Sequence, residues 1–97
     1  MNNTIKQGTL IRRASDMIAS EIDGEYMIMN IELGSYIVLR EVSARIWELL
    51  ERPATLASLL ENLLQEYTVD RDTCEQEIVS FLKEMAENNL IVLEDAP

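Results

Sequence analysis

The chain has 97 residues, enough for one domain and little more. A hydrophobic content of 47% suits a folded core of modest size, while 18 acids against 8 bases leave a net charge of -10. That balance argues against nucleic acid or anionic membrane as the main partner, because phosphate binding rests on Lys and Arg.

The inventory narrows the chemistry further. There is no His, which removes the usual general base and the commonest metal ligand, and a lone Cys74 makes neither an internal disulfide nor a cysteine-rich zinc site. Met1 to Lys6 has no apolar run behind a positive cluster and so does not read as a signal peptide. No stretch approaches the roughly eighteen apolar residues of a membrane span. The expectation is a single soluble cytoplasmic domain over residues 1–97, with its core within 15–93. Charge is uneven along it: residues 1–47 hold five bases and six acids, residues 48–97 three bases and twelve acids.

In chain order, three short strands come first. Met17–Ile22 is followed by Asp23-Gly24, the pair that a tight type I′ hairpin turn favours. Glu25–Ile31 comes next, then a turn at Gly34, then Ser35–Leu39, rich in strand formers. Short connections predict an antiparallel meander with the third strand at an edge. One face meets the helices that follow. The other holds Tyr26, Ile28, Tyr36 and Val38 or their alternates. It is covered either by the N-terminal arm around Leu10-Ile11 or by a second copy or partner.

From Val42 the hydrophobic period becomes helical. Ser43 is expected to cap a first helix with Ile46, Trp47, Leu49 and Leu50 inward, and Pro53 stops it. Thr55 caps a second helix whose apolar face runs Leu56, Leu59, Leu60, Leu63, Leu64 and Tyr67. Asp72-Thr73-Cys74-Glu75 has capping-box spacing and opens a third helix that ends near Asn88-Asn89. Its inward stripe is Cys74, Ile78, Phe81, Leu82 and Met85. Leu90 to Leu93 reads as a short extended tail and a possible final strand, with fraying from Glu94. The fold class is α+β and winged helix-turn-helix-like, a three-stranded antiparallel sheet followed by three helices.

Catalytic readings find little support. Glu75/Glu77 and Asp70/Asp72 are two apart and do not face each other on a helix, so they read as a solvated, dipole-favoured helix start. Asp70-Arg71-Asp72 lacks the central Gly of a calcium loop, and three glycines form no phosphate cradle. Cys74 on the apolar stripe reads as a small hydrophobe. The third helix holds only Arg71 and Lys83 against six acids between Asp70 and Glu87, a surface that would repel a duplex. Peptide recognition remains, with the third strand offering unpaired backbone groups and a helix as the other wall.

The runs Asp23-Gly24-Glu25, Gly34-Ser35-Tyr36-Ile37-Val38-Leu39 and Ile46-Trp47-Glu48-Leu49-Leu50 together resemble the PqqD-like family of peptide-recognition domains. Thr55, Tyr67, Ile78 with Phe81-Leu82, and Asn89-Leu90-Ile91 continue the pattern. Two departures stand in it, Arg40 where Asn is common and Val42-Ser43 where a small pair such as Thr-Gly is common. The resemblance implies a non-catalytic adaptor without cofactor or metal. Such an adaptor binds the leader segment of a ribosomally made precursor peptide and presents it to a leader-cleaving protease or other modifying enzyme. Within the family the chain looks most like the free-standing leader-binding proteins of lasso-peptide pathways. The alternatives are a PqqD-type chaperone for a radical enzyme in quinone-cofactor synthesis and a structural subunit of a peptide-modifying complex. The implied site is the strand edge Ser35, Tyr36, Ile37, Val38 and Leu39, with a helix wall of Gln76, Val79, Leu82, Lys83 and Ala86. For Leu82, ordinary core packing is the competing role. Nucleic acid and membrane are not expected partners, and a homodimer stays open.

Overall fold

A computed structural model describes residues 4–95. In chain order the elements are β1 (Leu10–Arg13), β2 (Met17–Ile22), β3 (Glu25–Asn30), β4 (Tyr36–Leu39), α1 (Val42–Leu49), β5 (Ala54–Thr55), α2 (Leu56–Glu66), α3 (Arg71–Glu87) and β6 (Ile91–Glu94). The expected meander is present in the order β2-β3-β4. Asp23 and Gly24 both have positive φ, 53° and 82°, as a type I′ turn requires, and Ile22 pairs directly with Glu25. The register sorts the two faces. Ala19, Ile28 and Ile37 lie side by side on the inner face, with Tyr26 beside Leu39. The rows Ile18–Met29–Tyr36 and Ser20–Met27–Val38 lie on the outer face. Tyr26 and Ile28 therefore do not share a face with Tyr36 and Val38.

The N-terminal arm does not cover the outer face. β1 is instead the centre of a second sheet, β5-β1-β6, pairing Ile11 with Ala54 on one side and with Leu93 on the other. Laid flat over a sheet face, β1 would leave its backbone groups unpaired; between two strands it pairs along both edges. Ile11 then points into the core with no exposed surface. By the same pairing, the possible final strand over Leu90 to Leu93 is present as β6, shifted by one residue to Ile91–Glu94. Glu94, expected to fray, ends that strand and makes an ion pair with Arg12. Asp95 follows exposed and outside any regular element, and the rest of the expected fraying, at 96 and 97, lies outside the described residues.

The helices begin close to where capping logic puts them, with two shifts. α2 starts as expected, the Thr55 hydroxyl accepting from the Ser58 N–H at 3.1 Å. α3 is capped by Asp70 rather than Asp72. Asp70 has the extended backbone that a cap needs, and its carboxylate accepts from the Thr73 N–H at 3.1 Å. Asp72 becomes an acid in the first turn, favoured there by the helix dipole. α1 begins at Val42, and Ser43 is not its cap. The Ser43 N–H donates to the Arg40 carbonyl at 3.1 Å, and its hydroxyl accepts from the Arg40 N–H at 2.9 Å. Between them Glu41 has φ 53° and ψ -118°, the first central position of a type II′ turn, where Gly dominates.

The core is one cluster. Trp47, Leu50, Leu56, Leu59, Leu60, Leu63, Ile78, Leu82, Met85 and Leu90 join the inner meander residues Ile28 and Leu39. Leu49, Leu64, Tyr67 and Phe81 pack at its margin, half-buried. Arg13 crosses from β1 to α1, its guanidinium 4.1 Å from the Trp47 ring centre and donating to the Trp47 carbonyl. Burial holds the Arg13 pKa below its ordinary value, against the opposing charge of Glu51.

A clamp at the C-terminus of α3 fixes the meander in place. α3 ends in a Schellman motif: Leu90 N–H donates to Met85 O, Asn89 N–H donates to Ala86 O, and Asn89 has φ 58°. The β3–β4 turn then takes up two further helix-end carbonyls. The Asn30 amide donates to Asn89 O at 2.9 Å, and the Ser35 hydroxyl donates to Asn88 O at 3.0 Å. Asn30 is buried, and its side-chain oxygen accepts from the Leu33 N–H at 2.8 Å.

Two stability outcomes follow from these contacts, both read by thermal denaturation monitored by circular dichroism. Glu41→Gly relieves the positive-φ strain at some entropic cost and raises stability by about 1 kcal/mol, ~5 °C in Tm. An unchanged or lower Tm would show that Glu41 is not strained. Asn30→Ala leaves buried partners unpaired and lowers stability by about 2 kcal/mol, ~10 °C in Tm. A change below a degree or two would mean that the clamp contributes nothing.

Candidate functional site

β4 is an edge strand, since β3 pairs with it on one side and the sheet ends there. The Asn30 N–H donates to Ser35 O at 2.8 Å, which sets the phase of the ladder. Hydrogen-bonded and non-hydrogen-bonded pairs alternate in antiparallel strands, so Ser35, Ile37 and Leu39 turn their backbone groups toward β3. Tyr36 and Val38 turn theirs outward, to the free edge.

The segments that flank β4 both reach one stripe of α3. At the start, Ser35 bonds Asn88 O. Just past the end, Val42, Ser43 and Ile46 share a recess of about 180 Å³ with Cys74, Glu77, Ile78 and Phe81. Glu77, Phe81, Glu84 and Asn88 are spaced i, i+4, i+7 and i+11, a single helical stripe. With these two points fixed, the free edge of β4 lies on the same side of α3 as this stripe, and the gap between the strand's backbone and the helix's side chains is the candidate cleft. Phe81 and Val42 supply apolar surface to the cleft, with Ile78 and Cys74 at the floor of the recess. Burial pushes the Cys74 thiol pKa up, and the charge of Glu77 adds to the shift, so Cys74 is a neutral lining group. Glu77, Glu84 and Glu87 surround Phe81, with Lys83 as the one base beside them.

The residues expected at the site divide between two places. Ser35, Tyr36, Ile37, Val38 and Leu39 all lie on or at the start of β4, with Leu39 and Ile37 inward and Tyr36 and Val38 outward. The expected helix residues do not form one wall opposite them. Gln76, Val79 and Lys83 line a groove with Ile5 on the other flank of α3. Ala86, seven residues on from Val79, shares that flank. Leu82 has no exposed surface, so core packing is its role. The arithmetic of α3 explains the split: a stripe centred on Cys74, Ile78 and Leu82 leaves two flanks, and only the partner elements decide which one faces β4. Glu77 and Phe81 went unnoticed as site residues because Phe81 fits the inward stripe equally well.

Comparison with known proteins bears on the same region. The family profile described as Coenzyme PQQ synthesis protein D (PqqD) matches residues 25–91, which takes in β3, β4 and all three helices. Among solved structures the chain is similar to TbiB1, determined in complex with the TbiA(beta) leader peptide. The two share 30% identity at a TM-score of 0.77, over 82% of this chain and 93% of that one. A lasso peptide synthetase B1, complexed with the leader peptide, has the same fold at 23% identity and a TM-score of 0.72, over 84% of this chain and 96% of that one. No curated protein matches the chain. With more than half its length matched, including both walls of the cleft, the chain belongs to the PqqD family.

Proposed function

We propose that this protein is a non-catalytic cytoplasmic adaptor that binds the leader segment of a ribosomally synthesised precursor peptide and presents it to a modifying or leader-cleaving enzyme, as in lasso-peptide biosynthesis. The leader adds as a strand to β4, pairing with the outward backbone groups of Tyr36 and Val38. Its inward side chains meet Phe81 and the recess beside Val42 and Ile46. The observation that carries this reading is the free β4 edge held alongside an α3 stripe. Support comes from the similarity to TbiB1, which is solved with a leader peptide in place. β-augmentation of this kind draws affinity from main-chain hydrogen bonds and specificity from pockets for alternate side chains. Of the implied helix residues, Gln76, Val79 and Ala86 lie outside this cleft and Lys83 borders both the Ile5 groove and the surface around Phe81, while Glu77 and Phe81 enter it.

Delivery to a radical enzyme in quinone-cofactor synthesis is the second reading, favoured by the description of the family itself. It would use the same cleft with a different peptide. No helix of the described residues is long and apolar enough to cross a membrane.

Fluorescence anisotropy with a labelled leader peptide, from the precursor encoded beside the protein, tests the cleft residue by residue. The wild type binds alone, without an enzyme, and a labelled DNA duplex gives no response. Val38→Pro removes an outward N–H, which an edge strand tolerates, so the domain folds and leader affinity falls roughly tenfold or more. Ile37→Pro removes an inward N–H and disrupts the sheet. Phe81→Asp weakens binding by a similar factor, roughly tenfold. Val79→Asp, on the other flank, stays within about twofold of the wild type. Loss of binding in Val79→Asp with none in Phe81→Asp would move the leader to the Ile5 groove.

A further inference from the structure

The outer face of the β2-β3-β4 sheet has no covering element among the described residues. Ile18, Ile22, Met27, Met29, Tyr36 and Val38 are between 37 and 74% exposed. The register sets them in adjacent rows. Together they present roughly 600 Å² of apolar surface, at the upper end for a monomer and the size of patch that marks a protein contact.

The charges around the patch choose the kind of partner. Residues 16–41 carry six acids and one base, Arg40. Arg40 is engaged with Glu25 at 3.2 Å, and Asp16, Asp23, Glu32 and Glu41 stand exposed in the turns at the two ends of the sheet. Two copies packed face to face would bring acidic rims together, and like charges across an interface disfavour it. An apolar surface rimmed by Lys and Arg would be attracted to the same rim.

The patch is also continuous with the leader site. Tyr36 and Val38 give their backbone groups to the free edge and their side chains to the outer face. A strand added to β4 places its own alternate side chains beside them as a further row of the same face. Twice the patch area is roughly 1,200 Å², the lower limit for a specific interface, so the added row matters.

Resting on the adaptor reading, we propose that this face docks the peptide-processing enzyme through an apolar surface rimmed by basic residues, and that bound leader widens the contact. The test uses the purified enzyme encoded with the protein, immobilised for biolayer interferometry, and the double variant Ile18→Thr/Met27→Thr, which keeps strand propensity. Enzyme affinity falls roughly tenfold or more in the variant, while its leader affinity by anisotropy stays within about twofold. Wild-type affinity for the enzyme weakens as salt rises and strengthens with saturating leader. Equal enzyme affinity in wild type and variant overturns the proposal. So does a concentration-dependent dimer in sedimentation velocity that the variant abolishes. If the wild type bound no leader at all, the adaptor reading itself would fail, an outcome separate from either.

Discussion

The cleft depends on a pair of hydrogen bonds at the C-terminus of α3. A helix end leaves carbonyls without partners, and burying them unpaired is costly. Here the Asn30 amide and the Ser35 hydroxyl take up Asn89 O and Asn88 O. The same contacts that satisfy the helix also tether the β3–β4 turn to it, so the start of β4 cannot drift from α3. At the other end, the tight turn over Arg40 and Glu41 delivers the chain straight into α1, whose first turn shares a recess with Phe81. With both ends fixed, the spacing between strand edge and helix is set by the fold itself. In the proposed binding mode that preorganisation lowers the ordering cost of taking up the peptide.

In the proposed mode, both halves of the arrangement serve backbone-directed recognition. The edge supplies donors and acceptors that read no side chains, while the recess between α1 and α3 supplies a small apolar pocket beside acidic groups. Cys74 is buried with its thiol pKa raised, so it lines the recess as a neutral group. The positive φ of Glu41 falls in the turn that joins β4 to α1.

Much of this was legible in the sequence, and the failures have particular causes. Asp23-Gly24, the leucine spacing of α2 and the Asn88-Asn89 stop are local signals, and local physics decides them. The edge position of β4 followed from its short connections. β1 was misjudged because Leu10-Ile11 carries no marker of which strands it pairs with; its partners lie more than forty and eighty residues away. The cap of α3 shifted because Asp70 and Asp72 compete for it, and α1 starts ahead of Ser43 because Ser43 is engaged in the turn with Arg40. The wall of α3 that faces β4 could not be chosen from periodicity, since both flanks of an inward stripe are equivalent until neighbours are placed. Asn30, the residue on which the clamp turns, looks like any strand-end Asn.

The most direct test of the central claim is amide hydrogen exchange, read by NMR on the free protein and on its complex with the leader peptide. Ile37 and Leu39 amides, already bonded to β3, are protected in both states. Tyr36 and Val38 amides exchange fast in the free protein and become protected when the leader adds to the edge. Protection of Tyr36 and Val38 that does not change on saturation with leader would contradict strand addition at β4.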